Sequence, residues 1–429
     1  MANICIVGLW HQGAVLSACL SDLGHKVCGV DEQQLVDSLS RGEPAVHEPQ
    51  LGELLRRNLK ARRLEFTSDY ATALRGADYA YISIDTPVDA SDRSNLETIF
   101  AAAQRIADSR TGNLTLVITA QVPIGTCRKL AALVSEKNPV SPVRVAYVPE
   151  FLRLGAAVET FRQADRFVVG CDDQATALGL AELYRPLNRP VVTTDLASAE
   201  MAKHASNAFL ATSISFINEI SDLCEELGAD ATEVAKIMKL DRRIGPYAFL
   251  SPGLGFAGGT LGRELRALQE LGSRSKLKTA VVDAAVTVND SRAGLIARKL
   301  VKHYGSLKGL QVAILGLTYK AGTSTLRRAI SLEIIRQLNQ GRATVTAFDP
   351  LARLDEVPNL PPFKMCADVY EAGSDSDALV LVTEWDGIDS VDFERLRNVT
   401  RRPLFIDSRN ILDPEMLRKA GFSYSGIGR

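Results

Sequence analysis

Six short runs of apolar and β-branched residues, "NICIVGL" (3–9), "KVCGVD" (26–31), "YAYISID" (79–85), "LTLVIT" (114–119), "RVAYVPE" (144–150) and "RFVVG" (166–170), alternate with stretches of helical character. Strands that are apolar almost throughout are buried on both faces, and intervening helices supply the cover, so the pattern predicts a parallel sheet between two helical layers. The alternation returns late in the chain as "QVAILGL" (311–317), "ATVTAFD" (343–349), "ALVLVTE" (378–384) and "PLFIDS" (403–408). From about 196 to 300 the pattern is helical instead, and it includes a long stretch, 198–228, that Gly228 closes in the usual C-terminal manner. The expected order is therefore α/β, helical, α/β.

Composition removes several classes of function. The chain has 429 residues, a formal net charge of −1 and 46% hydrophobic residues, an ordinary balance for a globular protein of two or three domains. No basic stripe or acidic tail points to a nucleic-acid partner, and no apolar run approaches the roughly 20 residues that span a bilayer. The opening "MANICIVGLW" runs straight into a strand, which reads as a start without a leader, and the expected compartment is the cytoplasm. Seven cysteines, Cys5, Cys19, Cys28, Cys127, Cys171, Cys224 and Cys366, are scattered without a CxxC pair. They read as buried reduced thiols, and no metal site is expected.

The first segment, "NICIVGLWHQGAVLSACLSDLGHKVCGVD", has the frame of a dinucleotide-binding unit: strand, glycine turn, helix, and a second strand ending in Asp31. In that frame the phosphates sit at the helix N-terminus and the carboxylate takes the ribose 2′-hydroxyl, which favours NAD. Gly8 and Gly13 fill the first and third glycine positions, but Trp10 fills the second. Glycine belongs there because the backbone must approach the pyrophosphate, so the indole either swings aside or blocks the cofactor. The fold class is α/β with two Rossmann-like doubly wound domains, 1–195 and 301–429, joined by a central helical domain, 196–300, with a long connecting helix.

The motifs "EPQL" (48–51), "TP" (86–87), "VPEFLRLG" (148–155), "AEMAKHASNAFLATSISFINEI" (199–220), "DRRIG" (241–245), "PGLGFAGG" (252–259), "GLTYKAGTSTLR" (316–327), "TEWD" (383–386) and "DSRNILDP" (407–414) occur in one order along the whole chain. In this order and spacing the sequence resembles the UDP-glucose/GDP-mannose dehydrogenase family. The resemblance implies NAD on the N-terminal domain, a nucleotide sugar, with UDP preferred, on the C-terminal domain, and a homodimer built on the helical middle. It implies two successive oxidations of a primary alcohol through an aldehyde and a cysteine thioester. Carried over by position, Lys203 resembles the lysine that stabilises developing oxyanion charge, Asn207 its partner, and Glu150 the acid/base glutamate. Lys203 and Asn207 are four apart, hence on one side of a helix, although a lysine in so apolar a helix also suits a snorkelling surface role. Thr86 and Arg327 match cofactor positions; Phe151, Leu152, Arg243, Phe256, Gly258, Lys320 and Arg409 match positions at the substrate or at interfaces.

The departures fall together. Where the family's loop reads approximately GFGGSCFPKD, this chain has Thr260 in place of the nucleophilic cysteine, Gly262 in place of the proline, and Arg263 and Glu264 in place of the lysine and aspartate. Gln121 stands where the resembled enzymes carry a threonine that positions the hydrolytic water. An alcohol supplies almost no alkoxide at neutral pH without a dedicated base, so a covalent acyl intermediate is disfavoured. Three readings stay open: hydride transfer that ends without a thioester, as a two-electron oxidation, a non-covalent oxidation or an epimerisation; the ordinary reaction run slowly; and a non-catalytic sugar-nucleotide binder.

Overall fold

The apolar run that opens the chain forms β1 (Asn3–Val7), buried at every position after the first. The computed structural model describes residues 1–86, 95–110, 112–136, 143–257 and 260–429. Among them β1 is followed by β2 (Lys26–Val30), β3 (Leu64–Thr67), β4 (Tyr79–Ile82), β5 (Thr115–Ile118), β6 (Arg144–Tyr147), β7 (Phe167–Gly170) and β8 (Val191–Thr194). These strands lie in the order β3-β2-β1-β4-β5-β6-β7-β8. A second sheet contains β9 (Gln311–Leu315), β10 (Thr344–Phe348), β11 (Lys364–Met365), β12 (Ala378–Leu381), β13 (Leu404–Asp407) and β14 (Ser423–Ser425), ordered β11-β10-β9-β12-β13-β14. Both sheets reverse direction beside their first strand, the arrangement of doubly wound folds that opens a crevice at the strand C-termini.

Strand periodicity distributes each core. Ile4 and Ile6 pack on one side of the first sheet with Leu20 and Leu55, while Cys5 and Val7 pack on the other with Ile82 and Ile99. In the second sheet Val312 and Ile314 divide in the same way from Ala313 and Leu315. The chain forms two compact units, Met1–Ala205 and Ser206–Arg429, dividing inside one helix, Leu196–Leu227, which ends at Gly228 with φ +73°.

Two details differ from the sequence reading. The pairing of β6 with β7, at Tyr147 and Gly170, is antiparallel, so the first sheet is not parallel throughout. Four short strands were not anticipated, β3, β8, β11 and β14, and they are the four sheet edges. An edge strand is covered less completely, and the segments "LEFT", "VVTT", "KM" and "SYS" are correspondingly mixed in burial, which removes the apolar run that marks an interior strand. All seven cysteines are free and buried. Among the described residues no helix is long and apolar enough to cross a membrane, and no cluster of metal-ligating side chains occurs.

The turn after β1 depends on two glycines. Gly8 has φ +90°, and a Cβ on Gly13 would lie 1.8 Å from the Gly8 carbonyl oxygen. That contact is with backbone, so the helix Gln12–Asp22 lies against the turn only because position 13 has no side chain. At the far end of the same helix Asp22 accepts from Arg162 at 2.9 Å and from Arg57, tying the helices Gln12–Asp22, Leu51–Lys60 and Ala157–Arg162 together.

Gly13→Ala is expected to destabilise the protein by at least about 2 kcal/mol in chemical denaturation, because the overlap is with a carbonyl that cannot rotate away. Partial burial pushes the Asp22 carboxyl up, but the hydrogen bonds and charges of Arg162 and Arg57 outweigh it and hold the group below the usual carboxylate range. Its folded pKa therefore lies under the unfolded one, so its contribution is complete at neutral pH and is lost as the pH falls through the depressed value. Asp22→Asn is expected to flatten the acid limb of the stability profile; an unchanged limb would remove Asp22 as its source.

Candidate functional site

At the first switch point the chain leaves β1 through Gly8, whose N–H donates to Val30 O at 3.2 Å, and enters the helix Gln12–Asp22. No side chain caps this helix, so its first-turn N–H groups are available to an anionic ligand. Asp31 follows β2; its Oδ2 accepts from Leu9 N at 2.6 Å and its Oδ1 from Glu32 N at 2.7 Å. Each oxygen keeps a second lone pair, and the partly exposed carboxylate retains room for a hydroxyl.

The second unit repeats the turn with a different outcome. Gly316 has φ +85°, and a Cβ there would lie 1.9 Å from Thr383 O. Asp349, the counterpart of Asp31, accepts from Leu317 N at 2.7 Å, Thr318 N at 3.0 Å, Leu351 N at 2.8 Å and Ala352 N at 3.0 Å. Four donors use the full capacity of this buried carboxylate, so of the two aspartates Asp31 is the one able to take a ribose hydroxyl. The residues present around Gly8, Gly13 and Asp31 thus fit a dinucleotide, with Trp10 at the rim, 55% exposed and edge-on to His11.

Further along the C-terminal ends of the first sheet, Thr86 is buried and donates to Gln121 O at 3.1 Å. After β6 comes the segment that carries Glu150, Phe151 and Leu152. Glu150 Oε2 accepts from Leu152 N at 2.7 Å, which holds the carboxylate over its own loop. Lys203 Nζ donates to Glu150 O at 2.5 Å, lies 3.5 Å from Glu150 Oε1 and sits 4.8 Å from the centroid of the Phe151 ring. The Lys203 side chain is only 7% exposed, so it is not a surface lysine. Arg166 lies over the same ring, 4.5 Å from its centroid, and a cavity of about 40 Å³ adjoins Glu150, Phe151 and Arg166.

In the second unit Asn207 Nδ2 donates to Glu264 Oε1 at 3.2 Å, and both side chains are buried. Thr260 stands at the start of the helix Leu261–Arg274, exposed, with no side-chain capping bond. Gly258 lies outside the described residues. The preceding loop is held by residues that the sequence reading passed over. Asn218 Oδ1 accepts from Gly253 N at 2.8 Å; Asn289 accepts from Phe256 N at 2.8 Å and donates to Phe256 O at 3.2 Å. The fully buried Arg292 donates to Gly253 O through Nε at 3.2 Å and Nη2 at 3.0 Å, and to Asp222 Oδ1 at 2.6 Å. Their signal was weak, because each stands among other polar residues, Asn289 and Arg292 in the run "NDSR" (289–292) and Asn218 before Glu219.

At the switch point of the second sheet, Arg409 forms a two-pronged pair with Glu384, Nε to Oε2 at 2.7 Å and Nη2 to Oε1 at 3.2 Å. Burial pushes the Glu384 carboxyl up, but the charge and hydrogen bonds of Arg409, with a smaller contribution from the charge of Lys320, bring it below its ordinary value. Arg327 is exposed on the loop after β9. Arg243 is joined to none of the other candidates among the described residues: it is 88% exposed at its side chain and paired with Asp241, Nη2 to Oδ2 at 2.6 Å.

Three family models match the chain: the NAD binding domain of the UDP-glucose/GDP-mannose dehydrogenase family over residues 2–188, its central domain over 197–291 and its UDP binding domain over 313–414. UDP-glucose 6-dehydrogenase of Rhizobium meliloti is 36% identical over 100% of this chain and 99% of its own length. UDP-glucose 6-dehydrogenase TuaD of Bacillus subtilis is 35% identical over 100% and 94%. Among solved structures, a UDP-glucose dehydrogenase from the archaeon Pyrobaculum islandicum superposes with a TM-score of 0.90 at 30% identity, covering 100% of this chain and 98% of that one. With a first unit whose turn and partly exposed Asp31 carboxylate suit NAD, and family matches along nearly its whole length, the chain belongs to the UDP-glucose/GDP-mannose dehydrogenase family.

Proposed function

We propose that the protein is an NAD-dependent oxidoreductase acting on an alcohol carbon of a UDP-sugar, and that it transfers a hydride without forming an acyl-enzyme. The observation that carries this reading is the contrast between Lys203, buried beside Glu150 as an oxyanion-stabilising lysine requires, and Thr260, which stands where the resembled enzymes carry their nucleophile. Bound NAD supplies the hydride acceptor. The Lys203 ammonium, screened from water by the Phe151 ring, stabilises the negative charge that develops on the substrate oxygen as the hydride leaves. The Glu150 carboxylate takes the hydroxyl proton, so one alcohol gives one carbonyl, one NADH and one proton.

Continuing to the acid through a thioester would require a thiolate. No cysteine stands in for the missing one, since all seven are buried and burial holds the thiols of Cys5, Cys19, Cys28, Cys127, Cys171 and Cys366 above their ordinary pKa. Gln121 and Glu264, at the positions of the water-handling threonine and aspartate, are altered with Thr260.

We further place a second copy of the chain against the central helices. Phe209, Phe216 and Leu223 are exposed at seven-residue intervals along the helix Leu196–Leu227, Leu227 is exposed at its end, and Ile237 and Leu240 are exposed on the next helix, Ala231–Leu240. A seam with this period suits a helix–helix contact between copies, and Arg243 follows directly after it. The buried thiols suit a reducing compartment, the cytoplasm. A second reading, a sugar-nucleotide binder without turnover, is favoured by the indole of Trp10 at the pyrophosphate turn.

With UDP-glucose as the probe substrate, one NADH is expected per sugar consumed, and the mass of the quenched protein is expected to show no acyl adduct. Two NADH per sugar together with an adduct on Thr260 would overturn the proposal, and absence of NADH binding at any concentration would leave the binder. Lys203→Ala is expected to lower kcat at least about 100-fold, the usual loss when an oxyanion-stabilising group is removed. Parent-like turnover in that variant would remove Lys203 from the chemistry. Thr260→Cys is expected to accumulate an acyl adduct and release acid slowly, because Gln121 and Glu264 remain; rapid release would show that they suffice for hydrolysis.

A further inference from the structure

We infer that Glu48 is a positioning residue that couples the dinucleotide turn to the loop bearing Glu150, making occupancy of one favour occupancy of the other. The inference rests on the reading above, in which NAD occupies the Gly8–Gly13 turn and the sugar lies beside Glu150.

The Glu48 side chain is fully buried. Its Oε2 accepts from His11 Nε2 at 2.8 Å and from Gly155 N at 3.1 Å, and its Oε1 accepts from Ala157 N at 2.7 Å. Among the described residues it forms no ion pair with a lysine or arginine. A buried carboxylate with no lysine or arginine beside it depends on its hydrogen-bond donors, and loss of one leaves a polar oxygen unsatisfied in a low dielectric. Because the carboxylate is only an acceptor, the hydrogen of this contact belongs to the imidazole, which fixes Nε2 of His11 as the protonated nitrogen.

The three donors belong to two working segments. His11 immediately precedes the helix Gln12–Asp22, directly after Trp10 in the turn. Gly155, at φ +85°, and Ala157 close the "VPEFLRLG" loop, in which Glu150 is held by Leu152 N. Ala156 N in turn donates to Arg153 O at 2.9 Å, so the end of the loop is continuous with the segment beside Glu150. Displacing His11 therefore costs Glu48 a donor unless the carboxylate follows, and if it follows, Gly155 and Ala157 must adjust with it. A link of three short bonds to one buried charge makes the two segments energetically interdependent, which is the physical content of coupling between two ligands.

The test measures the dissociation constant of NADH alone and with saturating UDP-glucose; both ligands are reduced, so no turnover intervenes. The ratio of the two constants is the coupling factor, and it is separate from whatever a variant does to either ligand alone. The parent is expected to show a factor of at least about 5. Glu48→Gln and His11→Asn are each expected to bring it within about twofold of unity, and the double variant to go no further than either single one. A staple that only holds the fold would lower stability and leave the factor unchanged. Retention of the parent factor in His11→Asn overturns the inference, and it decides alone if Glu48→Gln does not fold. A parent that binds both ligands with a factor of one also overturns it, with the oxidoreductase reading intact; a parent that binds no NADH removes both.

Discussion

The contact between position 13 and the carbonyl of Gly8 governs much else in the first unit. With no side chain at Gly13 the helix Gln12–Asp22 can approach the turn closely, and its N-terminus then opens at the crevice between β1 and β4. The other end of that helix, through Asp22, holds Arg57 and Arg162. The placement of three helices thus refers back to one close approach of two backbone segments. The same approach recurs at Gly316 in the second unit, but there the neighbouring aspartate is consumed by four backbone donors. The fold is used twice in one chain, and the two aspartates differ in the hydrogen-bond capacity they have left.

Much of this architecture was legible in the sequence because interior parallel strands advertise themselves. Each run identified as a strand is an interior strand of its sheet, whereas the four that were missed are edges, where partial exposure lets polar residues in. The antiparallel pairing of β6 and β7 left no mark, since an apolar run carries no direction. The long helix and its glycine stop were readable from period and composition.

The candidate site was legible unevenly, for the same physical reasons. Lys203, Glu150 and Phe151 were found through resemblance, and their mutual distances follow from where a loop and a helix meet, which no local pattern records. Asn218, Asn289 and Arg292 were overlooked because they stand among other polar residues, and their partners on the glycine-rich loop are backbone groups that no side-chain pattern records. Glu48 offered less, because its donors lie 37, 107 and 109 residues away. Arg243 shows the opposite case: its sequence match is good, yet among the described residues its ion pair is with its near neighbour Asp241.

The burial of all seven thiols bears on how the chain meets oxidants. An enzyme that works through an accessible thiolate carries a group that peroxide converts to sulfenic acid and that alkylating agents cap, so its activity follows the redox state of its surroundings. Here the hydroxyl at position 260 is inert to both, and the sulfurs that remain are shielded by the sheets and helices that hold them. On the reading proposed above, in which no acyl-enzyme forms, turnover is expected to persist under peroxide or alkylating agents for as long as the buried thiols stay covered.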